Sequence, residues 1–218
     1  MKLNLSLIVL LNLCFSTAIF SELNQNSIYF SLNNYIDNVT NQNIDGIEEE
    51  FGSNLYKINF GYVLSGRYDF SLSLIENNSN VNNYYFYKSD MYLGLGLGAC
   101  FKNLNKIPVN FKFDLELIGS NSYDSSSLRF YVFKEFPGGG NYPVIPFIEL
   151  SNTSYSYNTS GFNGSYSSLS AGYHLRLNVE SSNNSVLKDL IWISSHINTT
   201  DFSHYFIGFN VGLYHPIK

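Results

Sequence analysis

The chain has 218 residues, enough for one domain with a substantial core, and a net charge of -5 with no clustered basic stretch. A nucleic-acid partner, which needs such a cluster to neutralise phosphates, is thereby excluded. Charged residues make up only 13% of the chain, against roughly 25% in ordinary globular domains, while aromatics reach 17%, nearly all Tyr and Phe beside a single Trp192.

Residues 1–21 open with Lys2, run through an apolar core from Leu5 to Phe15 and close on the small residues Ser16, Thr17 and Ala18. That is the layout of a secretory signal peptide, with cleavage after Ala18 or Ser21 and a single domain over residues 22–218. Removal of the leader takes Cys14 with it and leaves Cys100 without an intramolecular partner. Neither a disulfide framework nor a Cys-ligated metal site is then expected, and Cys100 reads as a small buried filler.

Beyond the leader no run approaches the roughly 20 apolar residues of a membrane helix. The chain breaks instead into segments with a period of two, the signature of strands. Over Ser27–Asp37, Ile28, Phe30, Leu32 and Ile36 alternate with Tyr29, Ser31, Asn33 and Tyr35. The acidic stretch Asn38–Ser53 follows, with Glu48, Glu49 and Glu50, and reads as a solvated loop. Leu55–Val63 and Tyr68–Leu74 flank Ser65-Gly66 and form a hairpin signal. A second loop is expected over Glu76–Asp90. In Met91–Phe101, Leu93, Leu95 and Leu97 alternate with Gly94, Gly96 and Gly98; this is not the strand-to-helix spacing of a phosphate loop, and it fits a barrel strand whose inward glycines make room for bulky neighbours.

Ile107–Gly119 is the most regular stretch, with Val109, Phe111, Phe113, Leu115 and Leu117 on one face and Asn110, Lys112, Asp114 and Glu116 on the other. After a loop over Ser120–Ser127 come Leu128–Phe136, the break at Pro137-Gly138-Gly139-Gly140-Asn141, and the irregular strand Val144–Ser151, where Ile145 and Phe147 share a face with Glu149. A Ser, Asn, Tyr and Gly loop is expected over Asn152–Ser165. Strands over Leu169–Val179, Val186–Ile197 and His204–Tyr214 complete a count of about ten, or eight if the two weakest, Ser27–Asp37 and Val144–Ser151, are set aside.

Strands of about ten residues match the length a tilted strand needs to cross a membrane, and Tyr56, Tyr62, Tyr68, Trp192 and Tyr205 near the ends of apolar faces suit interfacial girdles. With its leader, its alternating strands, its short turns at Ser65-Gly66 and Lys102–Lys106 and its long polar loops, the chain resembles the small outer-membrane β-barrel proteins of Gram-negative bacteria. The likeness runs from Ser27 to the C-terminus. Asn210, Gly212, His215 and Ile217 loosely match the family's terminal assembly signal, although the chain ends on Lys218 where the family ends on an aromatic. The resemblance implies an all-β, up-and-down antiparallel transmembrane barrel in the outer membrane, with outer-membrane lipid and the barrel-assembly machinery as partners and an unidentified surface ligand at its loops. No cofactor is expected.

In such a barrel the polar faces line a lumen. Lys57, Asp69, Lys112, Asp114, Glu116, Arg129, Glu149, His174 and Arg176 are expected to form cross-strand ion pairs that plug it, because unpaired charge in a narrow lumen is costly. No His pairs with a Glu at ligand spacing, so no metal site is expected. Some outer-membrane barrels deacylate lipid A with a His and a Ser two residues apart; here His196-Ile197-Asn198 puts Asn where the nucleophile belongs. Asp201 with His204 is the nearest candidate for an acid–base pair. A surface barrel without catalysis is the first reading, an envelope enzyme acting on lipid or peptide the second. A secreted soluble β-sandwich or lipocalin-like binding protein is the third, with Asn-X-Ser/Thr sequons such as Asn38-Val-Thr in its favour.

Overall fold

The computed structural model describes residues 25–42, 48–81, 84–102, 107–121, 123–136, 143–157, 162–179, 189–199 and 205–217. The expected leader and the pair Asp201 and His204 lie outside them. Ten strands follow in order: β1 (Asn26–Gln42), β2 (Glu48–Leu64), β3 (Tyr68–Val81), β4 (Tyr84–Phe101), β5 (Asn110–Gly119), β6 (Tyr123–Phe133), β7 (Val144–Tyr157), β8 (Phe162–Val179), β9 (Asp189–Thr199) and β10 (Tyr205–Ile217). Each pairs antiparallel with its sequence neighbours and β1 pairs with β10, so the sheet closes into an up-and-down barrel. Both weak segments are strands, which makes the count ten and not eight. Closure rules out a sandwich.

The start of β1 and the end of β10 share one end of the barrel, the termini end, with the turns after β2, β4, β6 and β8. At the β2–β3 turn Ser65 (φ 53°) and Gly66 (φ 63°) are both left-handed, and Arg67 N donates to Leu64 O at 3.0 Å. Two successive left-handed residues give the turn a twist that matches antiparallel strands, and Arg67 is a third loop residue between the paired Leu64 and Tyr68.

Three expected loops are largely strand. β1 and β2 extend through most of Asn38–Ser53, β3 and β4 through Glu76–Asp90, and β7 and β8 through Asn152–Ser165, with cross-strand pairing carried to Gln42↔Glu48, Val81↔Tyr84 and Tyr157↔Phe162. Similarly, β6 begins inside the expected loop Ser120–Ser127. A backbone ladder needs no apolar period, so strands that run on into a polar environment lose the alternation that reveals them.

Alternation holds along the wall itself. Ile28, Phe60, Leu72, Leu95, Leu115 and Val211 are exposed on the outside, and Ser31, Asn59, Ser73, Lys112 and Asn210 are buried inside. An exterior that is apolar and an interior that is polar invert the lipocalin-like arrangement.

One register row passes outward through Leu177, Ile191, Leu213, Phe30, Phe60, Leu72, Leu95, Leu117, Ser126, Ser154 and Ser165, returning to β8 twelve residues from where it left. A stagger of twelve over ten strands tilts them by about 40° and gives a backbone radius of about 10 Å. Each step along a row then climbs about 3 Å, and each residue along a strand about 2.5 Å. On that scale the outward apolar residues fill a level band about 20 Å tall, from Leu177 to Leu169 on β8, Phe101 to Leu93 on β4 and from Val109, just ahead of β5, to Leu117. The outward polar residues Glu76, Ser126, Asn152 and Ser167 fall within about 3 Å of one level at its top, although their sequence positions share no pattern.

Candidate functional site: the lumen

All nine predicted lumen residues face inward and are buried. They form two groups. At mid-height Glu116 on β5 is the hub: it pairs with Lys57 from β2, accepts a 2.6 Å bond from Arg129 Nη2 on β6, and lies 3.5 Å from Ser73 Oγ on β3. Next to it Lys112 Nζ donates at 3.0 Å to both Asp69 Oδ2 and Asp114 Oδ2, and Asp69 Oδ1 accepts from the Tyr29 hydroxyl at 2.9 Å. Glu149 Oε1 lies 3.8 Å from Arg129 Nε.

Arg176 belongs elsewhere. It donates at 3.0 Å to Glu135, which also pairs with Lys102, in a second group at the termini end. His174 is in the lumen but its ring stacks on Trp192, with centroids 6.0 Å apart and planes 24° from parallel. Sequence reasoning missed Glu135, Lys102 and Tyr29. For Glu135 the signal was present, since it continues the parity of Arg129, Tyr131 and Phe133. With these additions the named lumen charges balance: Lys57, Lys102, Lys112, Arg129 and Arg176 against Asp69, Asp114, Glu116, Glu135 and Glu149.

Opposite the long charged side chains of β2–β6, part of the wall is small. Ser168, Ser170 and Ser194 line it with Gly172, and Ser127 and Thr153 share a hydrogen bond of 2.8 Å. On the charged side, the space that a Cβ on Gly94 or Gly96 would take is filled by the hydroxyls of Ser73 and Ser71. Toward the termini end two apolar clusters form a floor, one of Tyr29, Val63, Trp192 and Tyr214, the other of Cys100, Tyr131, Phe133, Ile145 and Phe147. This accounts for the irregular β7, whose Ile145 and Phe147 are floor residues on the same inner face as Glu149.

Trp192 corrects the girdle expectation. It is 2% exposed inside the lumen, because the pleat of β9 puts it with Ser194 and His196, and its ring occupies the space left by Gly212 on β10. Tyr56, Tyr62 and Tyr68 are exposed on the exterior as expected. Among the ion pairs remains a cavity of about 20 Å³, bordered by Tyr29, Lys57, Asp69, Asp114, Glu116 and Arg129. That is room for one water molecule.

Burial opposes the charge on Glu135, but Arg176 and then Lys102 outweigh it and hold the carboxyl below its ordinary value of 4.5. A lowered carboxyl contributes stability that is full above 4.5 and is lost as pH falls through the lowered value. Glu135→Gln is therefore expected to flatten the decline of the unfolding midpoint below about pH 4.5, read as urea unfolding of the folded barrel at stepped pH. An equally steep acid decline in the variant would contradict this.

No protein-family model matches the sequence, and no curated protein matches it. Among solved structures, the β domain of the Bordetella autotransporter BrkA is similar at a TM-score of 0.47 and 13% identity, over 88% of this chain and 100% of that one. The translocator domain of autotransporter NalP from Neisseria meningitidis is similar at 0.39 and 9%, over 94% and 91%. Ail, the attachment invasion locus protein of Yersinia pestis, is similar at 0.33 and 11%, over 90% and 100%.

Proposed function

We propose that this chain is a non-enzymatic outer-membrane barrel of a Gram-negative bacterium, a plugged scaffold that presents long hairpins at the cell surface. The observation that carries the reading is the level apolar band, about 20 Å tall against the roughly 25 Å of outer-membrane barrels. A soluble protein has no reason to expose Phe60, Leu72, Leu93, Leu95, Leu97, Ile148, Leu150 and Phe209 in one continuous ring.

Two features support the finer parts. The balanced ion pairs and the aromatic floor fill the lumen, which suits a plug better than a pore. Beyond the band, β4 continues from Leu93 to Tyr84, about 20 Å further, while β5 and β6 stop near its edge. The hairpins β1–β2, β3–β4 and β7–β8 thus stand above the low β5–β6 side, and the Asn, Ser and Tyr content of their sequence suits contact with a host or envelope ligand. On this reading the termini end faces the periplasm and the last strand, through Asn210, Gly212, His215 and Ile217, is what the assembly machinery meets. The test is fractionation with heat-modifiable gel mobility: recovery with the outer membrane and faster migration before boiling are expected. Recovery in a soluble fraction would overturn the reading.

A further inference from the structure

Above the apolar band the ring of strands is incomplete. β8 pairs with β7 up to Phe162 but with β9 only up to Leu169, and β1 pairs with β2 up to Gln42 but with β10 only up to Ile36. Residues 162–168 of β8 and 37–42 of β1 therefore have no ladder partner on their facing sides among the described residues. The five residues that link the paired Thr199 and Tyr205 are too few to pair with both edges. Since two strands end beneath this notch, its edges stand three strand spacings apart, about 14 Å, which is room for two more strands.

A third free edge, residues 84–92 of β4 beyond the pair Leu93↔Gly119, is of another kind. Its sequence carries Lys88 and Asp90, and its ladder with β3 shifts register between Ser79 and Val81. Charges and bulges are what keep an edge from taking on another strand. The edges of the notch have little of either: both ladders run without a shift, residues 162–168 hold no charge and no proline, and residues 37–42 hold one charge, Asp37. Direction fits as well. β1 runs away from the termini end and β8 toward it, so two strands antiparallel to these edges are antiparallel to each other, as in a hairpin.

A second barrel in the same membrane cannot supply those strands. Side by side, two walls pack about 10 Å apart, twice the spacing of a ladder, and their strands cross at about twice the tilt. We propose that the notch above β9 and β10 docks an extended polypeptide of a partner protein, folded back as a hairpin that enters tip first and pairs with β8 and β1. The hairpin completes above the band the ring that β9 and β10 complete within it. The proposal rests on the surface reading above and deepens it, naming the ligand as the backbone of an extended chain and giving the place where it docks.

The ladder identifies which groups do the pairing. Arg176 N donates to Pro143 O on the β7 side, so the even-numbered residues of β8 bond to β7, and the N–H and C=O of Asn163, Ser165 and Ser167 point into the notch. Proline at 165 or 167 thus removes a donor from the notch and no bond to β7. By the same logic Cys100 N, which donates to Arg67 O, leaves Met91 facing the free edge of β4.

The probe is a fluorescein-labelled synthetic hairpin, two short Thr-Val strands around Asn-Gly, beside the same hairpin N-methylated on its outward amides. Each is titrated by anisotropy against the full chain folded in micelles, with every variant checked for heat-modifiable mobility. The first hairpin is expected to bind saturably and the methylated one not to bind. Ser165→Pro and Ser167→Pro are each expected to weaken binding roughly five-fold, as for one net backbone hydrogen bond, and Met91→Pro to leave it unchanged. No saturable binding, equal binding of the methylated hairpin, a loss at Met91→Pro equal to that at Ser165→Pro, or a dimer of barrels in place of a peptide adduct would each overturn the site. Insertion into lipid vesicles is scored on the same samples: a barrel that inserts but binds no hairpin sinks the docking site alone, and one that does not insert sinks the membrane reading as well.

Discussion

Glu116→Ala is expected to destabilise the folded barrel by about 3–5 kcal/mol, the range for removing one partner from a buried ionic group. Glu116 is shared by Lys57 and Arg129, both buried, and the substitution leaves two cations in the lumen without the carboxylate between them. The loss is mostly the cost of that buried charge and not the worth of the pairs, since intact buried pairs add little net stability. Asp114→Ala is expected to cost less, because Lys112 keeps Asp69 at 3.0 Å. Urea unfolding of vesicle-inserted protein, followed by the loss of heat-modifiable mobility, measures both. Unfolding midpoints that do not move in either variant would mean that these ion pairs contribute nothing to the fold.

Val211→Arg tests the exterior. Val211 is 44% exposed on β10, near the middle of the apolar band. In a bilayer an arginine at that depth is expected to cost about 2–4 kcal/mol, and one near the interface about 0–1 kcal/mol. Asn152→Arg, at the top of the band, supplies the second position. In water both sites are exposed and both changes fall within about 0.5 kcal/mol of neutral. A depth-dependent penalty, large at Val211 and small at Asn152, is the expected outcome in vesicle unfolding. Equal, near-zero penalties would show that the band does not face lipid.

Side-chain facing was legible wherever one face was apolar. Phe113, Leu115 and Leu117 out, with Lys112, Asp114 and Glu116 in, follow from the period of two, because the pleat alternates sides whatever the strand pairs with. The glycines of β4 were legible for the same reason. Where both faces are polar the period disappears, and β1, β2, β3 and β4 therefore outran their expected ends. Trp192 was misplaced because a large aromatic near a strand end suits either a girdle or a floor, and only the facing Gly212 decides between them.

The sequence by itself determined a series of eight to ten alternating strands and, where one face is apolar, which side chains share a face, since these depend on neighbours one or two residues away. The tertiary structure alone decided the rest. The stagger of twelve brings Glu76, Ser126, Asn152 and Ser167 to one level and makes a band of scattered apolar residues. Closure brings Lys57 of β2 across to Glu116 of β5, and sends Arg176 to Glu135 instead of to the central group. Register and closure are properties of the whole ring of hydrogen bonds, so no local pattern in the chain encodes which charge meets which.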